Sequence, residues 1–477
     1  MADIDDSVFF ASAAEINRRL KAREFSAVEL TRKFCDRMER FGPRFAALAL
    51  DLRDSAIRQA RDVDDDLKRE RFRGPLQGVP WGAKDLLSVS GQITTWGAKP
   101  FAAQVFDHDA TAVSRLARTG AILTSKLSMI ELAGGGGYRY PAASLFQAGR
   151  NPWNTSRWAG GRSSGSGSAV AAGLVTFALG SETSGSILTP AAYCGITGLR
   201  PTYGLVSRFG AMPLSWTLDK IGPMCHTAED CGLVLQAIAG KDEKDPGSAG
   251  KSFYFVPRYH RDIKTVRIAY SPVDFEGWLP ENLRPVFQQA LQTLKGLGAQ
   301  LREIPGLPDF PYTPAVTTVI GAESSSVFEE LIESGRVNEL ADEKQIAGLK
   351  ASMDIGARDY LKAMRIRRLI QAEFRNLLTD IDVLLSPTRF TVATGIQEPL
   401  DAPSPPAAPD VRGGMRSLIP ASNLAGLPAL SLPCGFVDGL PLAIQLVSRP
   451  FTENLLLSVG MQFQNATDWH KRRPKVG

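Results

Sequence analysis

GGRSSGSGSAVAAGLVTFALGSETSGSILTPAAYCGITGLRPTYG, running from Gly160 to Gly204, is the stretch from which the rest of the chain is read. Two clusters of glycine and serine flank an apolar segment, Ala169 to Leu179, which reads as a buried helix. A flexible Gly/Ser linker would not run into such a segment and then into a second small-residue cluster. In that second cluster, Ser181-Glu182-Thr183-Ser184-Gly185-Ser186-Ile187, the small residues before Ser186 allow consecutive backbone N–H groups to turn inward. Such a nest suits the negative oxygen of a tetrahedral intermediate. A serine at its end is placed to attack the carbonyl bound there, provided a base takes its proton. The candidate base is Lys84, in the upstream turn GVPWGAKD (Gly78 to Asp85). Its neighbours Val79, Pro80, Trp81, Leu86 and Leu87 are apolar, and burial favours the neutral amine.

Other chemistries fit less well. Gly161-Arg162-Ser163-Ser164-Gly165 matches the G-x-S-x-G nucleophile elbow, but that turn follows an apolar strand, and Asn151 to Trp158 reads as loop. Gly250-Lys251-Ser252 lacks the earlier glycine of a phosphate-binding loop, since Asp245 stands there. His108, His226, His260 and His470 have no metal-ligand spacing, so no metal and no cofactor are expected. The net charge of +5 on 477 residues is small, and no basic stripe with interleaved aromatics argues for nucleic acid. No apolar run reaches the ~18 residues of a membrane span, and the acidic N-terminus shows no signal peptide. The five cysteines are scattered, without C-x-x-C, as in a reduced cytoplasmic protein.

Hydrophobic periodicity predicts two amphipathic helices within residues 12–39, the second capped by Ser26, and a charged, exposed helix from Ser55 to Lys68. A helix over 109–119 and a strand ending at Leu127 suggest βαβ units. Gly134 to Gly137 reads as a surface loop or as backbone packed close to a site. Residues 240–261 are polar and turn-rich, and Glu398 to Gly414 is a loop. Between them come strand VRIAYSP, a helix over 280–298, strand AQLREI, helices near 321–335 and 355–379, and strand DVLLSP. The strands ALSLPCGF and PLAIQLVS form a hairpin through Asp438-Gly439, and KRRPK (Lys471 to Lys475) is a solvated tail.

These motifs resemble the amidase signature family, whose hallmark is a Lys–Ser–Ser triad in a Gly/Ser-rich stretch. The resemblance extends to GPLQGVPWGAKD, TAVSRLARTGAILTSKLSMIELA, SWTLDKIGPM, NLAGLPALSLPCGF and GLPLAIQLVSRPFTENLLLSVG, nearly the whole chain, and is weakest near 240–330. It implies one domain over residues 1–477, an α/β fold with a large mixed twisted sheet flanked by helices on both faces. It aligns Ser186 with the nucleophile, Lys84 with the catalytic lysine, and the amides of Thr183, Ser184, Gly185 and Ser186 with the oxyanion hole.

The chain departs from the family at one catalytic position: Arg162 stands where the family's middle serine shuttles the proton. A guanidinium keeps its charge and cannot accept a proton. Arg162 is then an inactivating substitution, or Ser163 replaces the shuttle, or the chain performs other chemistry. The resemblance implies hydrolysis of amide or carbamate C–N bonds of small aryl or alkyl substrates, as in a urethanase or aryl acylamidase, without nucleic acid or membrane as partner. Trp81, Trp96, Tyr138, Trp158 and Trp216 line an apolar pocket or pack the core. Two alternatives stand beside it. One is the glutaminase subunit of a tRNA-dependent amidotransferase, whose substrate-binding acid is absent from Met415-Arg416-Ser417. The other is a non-catalytic amidase-like binding protein. Oligomeric state is not legible in the sequence.

Overall fold

Serine caps open the first two helices of the computed structural model, which describes residues 4–257, 261–401 and 412–476. Ser12 caps α1 (Ala13–Lys21), and Ser26 forms a reciprocal capping box with Glu29 at the start of α2 (Ala27–Phe45). After β1 (Leu48–Asp51), helix α3 (Arg53–Lys68) is charged on one side only; Ala56, Ala60, Val63 and Leu67 bury the other. Strand β2 (Pro80–Lys84), helix α4 (Thr111–Arg118) and strand β3 (Ile122–Leu127) form the expected βαβ unit, with the two strands parallel.

Two expectations fail in the next segment. Residues 151–158, read as loop, belong to the hairpin of β4 (Arg150–Asn151) and β5 (Asn154–Trp158), whose turn closes when Trp153 N donates to the Asn151 side chain. The hairpin bridges Gly395 through Arg157 and lies outside the main sheet, so no nucleophile elbow results. The apolar stretch Ala169 to Leu179 is not one helix. Helix α5 (Ser164–Ala171) stops before Gly173, whose φ of +65° reverses the chain, and Phe177 begins strand β6 (Phe177–Glu182). Helix periodicity alone cannot separate a short buried strand from a buried helix. Helix α6 (Leu188–Cys194), strands β7 (Thr197–Arg200) and β8 (Lys220–Cys225) and helix α7 (Ala228–Ile238) follow.

Residues 240–257 hold no α-helix or strand. Strand β9 (Arg267–Tyr270), the helix Arg284–Gly296 and strand β10 (Gln300–Glu303) make a second parallel unit. The helical region beyond is richer than the sequence suggested. It contains Tyr312–Val327, Glu329–Glu333, Glu343–Ser352 and Ala357–Leu377. The first of these starts early because Pro314 sits in its first turn, where a missing N–H is tolerated. The third, unread, is capped by Asp342, which accepts from Gln345 N. Residues 402–411 of the expected loop lie outside the described residues. Strand β11 (Val383–Pro387) and the hairpin β12 (Ala429–Val437) and β13 (Leu440–Ser448) complete the set.

Eleven strands form one mixed sheet in the order β1-β3-β2-β6-β8-β7-β12-β13-β11-β9-β10. Both faces are covered. On β6, Phe177 and Leu179 join a core with Leu116 of α4 and Val234 of α7, while Ala178 joins another with Met38 of α2 and Val170 of α5. The five cysteines are free and buried. The basic tail is not fully solvated: Arg473 lies over the Phe10 ring and donates to the His470 carbonyl. Among the described residues, no helix is long and apolar enough to cross a membrane.

Candidate active site

Strand β2 lies between β3 and β6 and runs parallel to both, so Lys84 ends a fully buried strand. The pairing Ala83 to Leu179 sets Lys84 level with Gly180, one residue short of Ser181. Lys84 Nζ donates to Ser181 Oγ at 2.9 Å. No described carboxylate lies within ion-pair distance of it. Burial pulls the Lys84 pKa down, the Arg162 cation pulls it further, and Asp219 and Glu182 partly offset both; the result is about 7. Near neutral pH a large fraction of this amine is therefore unprotonated and able to accept a proton.

The chain after β6 folds back through Glu182. Its buried carboxylate accepts from Ile187 N at 2.8 Å and Leu188 N at 3.0 Å, and from Arg200 at 2.8 Å and Asn423 at 2.9 Å. Arg200 is the main opposing influence to burial and holds the Glu182 pKa down at about 2, so the tether stays charged. Between the tethered ends lies Thr183-Ser184-Gly185-Ser186, with Gly185 at φ +87°. Among the described residues, no backbone acceptor takes the N–H groups of these four residues. Thr183 Oγ1 instead donates to Asp219 at 2.6 Å, and Asp219 also accepts from Leu214 N and Ser215 N, each at 2.8 Å. Burial raises the Asp219 pKa. Ser186 is 2% exposed.

Arg162 comes to this loop from the other side. A Cβ on Gly161 would stand 3.4 Å from the Gly185 carbonyl, so the backbones beside Arg162 and Ser186 nearly touch. The Arg162 guanidinium is held by other partners: Nη1 donates to the Ser184 carbonyl at 3.2 Å, and the group lies 5.4 Å from the Tyr138 ring centre. Its Nε is buried without a hydrogen-bond partner. The glycine run makes room for it. Gly134 and Gly135 are buried, and a Cβ on Gly134 would meet Arg162 Nε at 2.7 Å. Gly134 to Gly136 are closely packed backbone, and Gly137 faces open space.

Ser163 is held differently. Its hydroxyl donates to the Ser181 carbonyl at 3.3 Å and accepts from Ser181 N at 3.4 Å, so its bonds are to backbone and not to Lys84. A cavity of about 510 Å³ opens beside the loop, with Ser181, Thr183 and Asp219 in its wall and Phe209, Met212, Leu214, Trp216 and Ile221 forming an apolar side. Lys84 and Ser186 are not among the residues that line it. Of the five aromatic residues singled out, only Trp216 lines this cavity. Trp81 stacks on Phe177 in the core, Trp96 packs among Phe101, Phe106 and Phe328, and Trp158 packs against Tyr138.

Sequence reading missed Ser181 and Asp219. Ser181 stood inside the decisive stretch, but with Ala169 to Leu179 taken as one helix nothing placed it at a strand end level with Lys84. Asp219 was quoted only within SWTLDKIGPM, with no role.

The family model described as Amidase matches residues 29–457. The A subunit of glutamyl-tRNA(Gln) amidotransferase from Carboxydothermus hydrogenoformans is 36% identical over 493 residues, covering 98% of this chain and 100% of that protein. Among solved structures, the native peptide amidase from Stenotrophomonas maltophilia superposes with a TM-score of 0.82 at 28% identity, covering 97% of this chain and 98% of the other. The A subunit of glutamyl-tRNA(Gln) amidotransferase from Thermotoga maritima superposes with a TM-score of 0.77 at 26% identity, covering 98% of this chain and 96% of the other.

Proposed function

The chain belongs to the Amidase family, the amidase signature hydrolases of amide C–N bonds, and on that premise we propose that it cleaves a carboxamide through an acyl-enzyme on Ser186. Lys84 is the base, and the amides of Thr183, Ser184, Gly185 and Ser186 receive the oxyanion. The observation that carries this reading is the buried, carboxylate-free Lys84 amine, hydrogen-bonded beside a loop whose N–H groups have no backbone acceptor. A neutral amine takes up the proton that a serine must lose to attack. Donors already aimed at one point stabilise the charge that develops there.

For the substrate, the full-length similarity to amidotransferase A subunits favours release of ammonia from glutamine within such an assembly. A second reading, hydrolysis of aryl or alkyl amides or carbamates, is favoured by the apolar side of the cavity. The absence from Met415-Arg416-Ser417 of the acid expected near the substrate in the glutaminase subunit favours it too, and an exposed cation, Arg416, stands in that stretch. It lies over the rings of Trp278 and Phe390, just before the helix Leu418–Ala425, whose Ile419 packs on Gly185.

Hydrolysis of glutamine, a 4-nitroanilide and an aryl carbamate, measured side by side with Ser186→Ala, tests both readings. Turnover of glutamine lost in Ser186→Ala supports the first, and turnover confined to the anilide or carbamate supports the second. A folded chain whose Ser186 never reacts with a fluorophosphonate leaves a binding protein and removes both.

A further inference from the structure

We propose that Ser181 is the proton relay between Ser186 and Lys84 in this chain, taking the place left by the serine that Arg162 replaces. The inference rests on the hydrolase reading above and deepens it. Three side chains compete for the role. Arg162 has no proton-accepting atom, and its head is engaged by the Ser184 carbonyl and the Tyr138 ring. Ser163 has a hydroxyl, but it donates to and accepts from the backbone of Ser181. Ser181 Oγ is 2.9 Å from Lys84 Nζ, and among the described residues that lysine is its one side-chain partner.

Ser181 and Ser186 also stand at the two ends of one short loop. The Glu182 tether returns the chain so that Ile187 Cγ1 would stand 3.2 Å from a Cβ on Gly180. Gly180 and Ile187, which flank the two serines, are thus close to each other. Ser181 is part of the cavity wall. Ser163 then has a supporting role, fixing the backbone that carries the relay hydroxyl.

The step balances within the chain. Ser186 Oγ gives its proton to Ser181 Oγ as Ser181 gives its own to the lone pair of neutral Lys84. The freed electron pair on Ser186 Oγ bonds the carbonyl carbon, and the C=O π pair moves to oxygen. Collapse restores C=O and breaks the C–N bond. The proton returns from the Lys84 ammonium through Ser181 to the leaving nitrogen. Water repeats the sequence on the acyl-enzyme.

The test follows the rate of fluorophosphonate labelling of Ser186, together with the pH profile of 4-nitroanilide or glutamine hydrolysis. The proteins compared are the parent, Ser181→Ala, Ser181→Thr, Ser163→Ala, Arg162→Ser and Arg162→Ser/Ser181→Ala. The expected result is a loss of about 10²–10⁴-fold in Ser181→Ala, the span of one general acid–base group. Recovery to within about tenfold is expected in Ser181→Thr, which keeps a hydroxyl, and in the double variant, which regains one at 162. A smaller loss is expected in Ser163→Ala. The pH limb belonging to Lys84 persists in Ser181→Thr, which a purely structural defect would not predict. Ser181→Ala reacting within about threefold of the parent overturns the relay, as does Ser163→Ala losing as much as Ser181→Ala. A parent that never labels beside an Arg162→Ser that labels rapidly overturns the relay and leaves the hydrolase reading standing. If neither labels, the hydrolase reading falls and the relay falls with it.

Discussion

Lys84 and Lys126 are both fully buried, on the adjacent parallel strands β2 and β3, where Ala83 pairs with Lys126 and Lys84 with Leu127. Their surroundings give them opposite properties. Lys126 holds Asp85 at 2.8 Å and also donates to the Ile93 carbonyl and the Thr94 hydroxyl. Burial lowers its pKa and Asp85 works against that, so the charge is matched where it sits. Lys84 has a serine hydroxyl, no described carboxylate within ion-pair distance and a neighbouring arginine, and its pKa falls to about 7. Equal burial leaves one lysine a structural ion and the other, in the proposed mechanism, a base. The partner, rather than the degree of burial, decides which.

Replacing each lysine by methionine breaks the comparison most sharply. Lys84→Met should lower kcat/KM by about a thousandfold or more, measured on whichever amide the parent turns over. Lys126→Met leaves Asp85 buried without its cation and should cost about 3–5 kcal/mol of stability, read from urea denaturation. Lys84→Met should not destabilise near neutral pH, because it removes an amine that burial disfavours in its charged form.

The pH dependence sharpens the contrast. The folded Lys84 pKa, about 7, lies below its ordinary value of 10.5, so unfolding takes up a proton between those values. The stability attached to Lys84 therefore rises with pH across that window. The stability difference between Lys84→Met and the parent should shrink as pH approaches 10.5, seen in denaturation at a series of pH values. For the same reason kcat/KM should climb as pH rises through about 7, as Lys84 loses its proton. Arg162→Ser removes a nearby cation and should move that limb to higher pH. The smallest effect expected is on the cavity: Trp216→Ala should raise KM for a bulky apolar amide several-fold, about 1 kcal/mol of lost apolar contact, with kcat changing less.

Much of the fold was legible because its signals are local. Ser26 with Glu29, the Asp438-Gly439 turn and the alternation of strand and helix around β2, α4 and β3 act within a few residues of themselves. The apolar stretch between the serine clusters was misread because a buried strand and a buried helix look alike until a partner strand is present. The helix Glu343–Ser352 was missed because its core contacts depend on distant elements. Gln345, for example, donates from its side chain to the Glu131 carbonyl.

The sequence by itself determined the chemistry available to this protein: a lysine in an apolar turn, a serine closing a small-residue loop, and an arginine that cannot carry a proton. It also determined the family, because those residues recur in a long, specific pattern. Only the tertiary structure decided which hydroxyl meets Lys84. The parallel register of β2 against β6 brings Ser181 to the amine, while the backbone around the same residue occupies Ser163. Hydrogen bonds reach only about 3 Å, and positions nearly a hundred residues apart come within that reach only once the sheet sets their register.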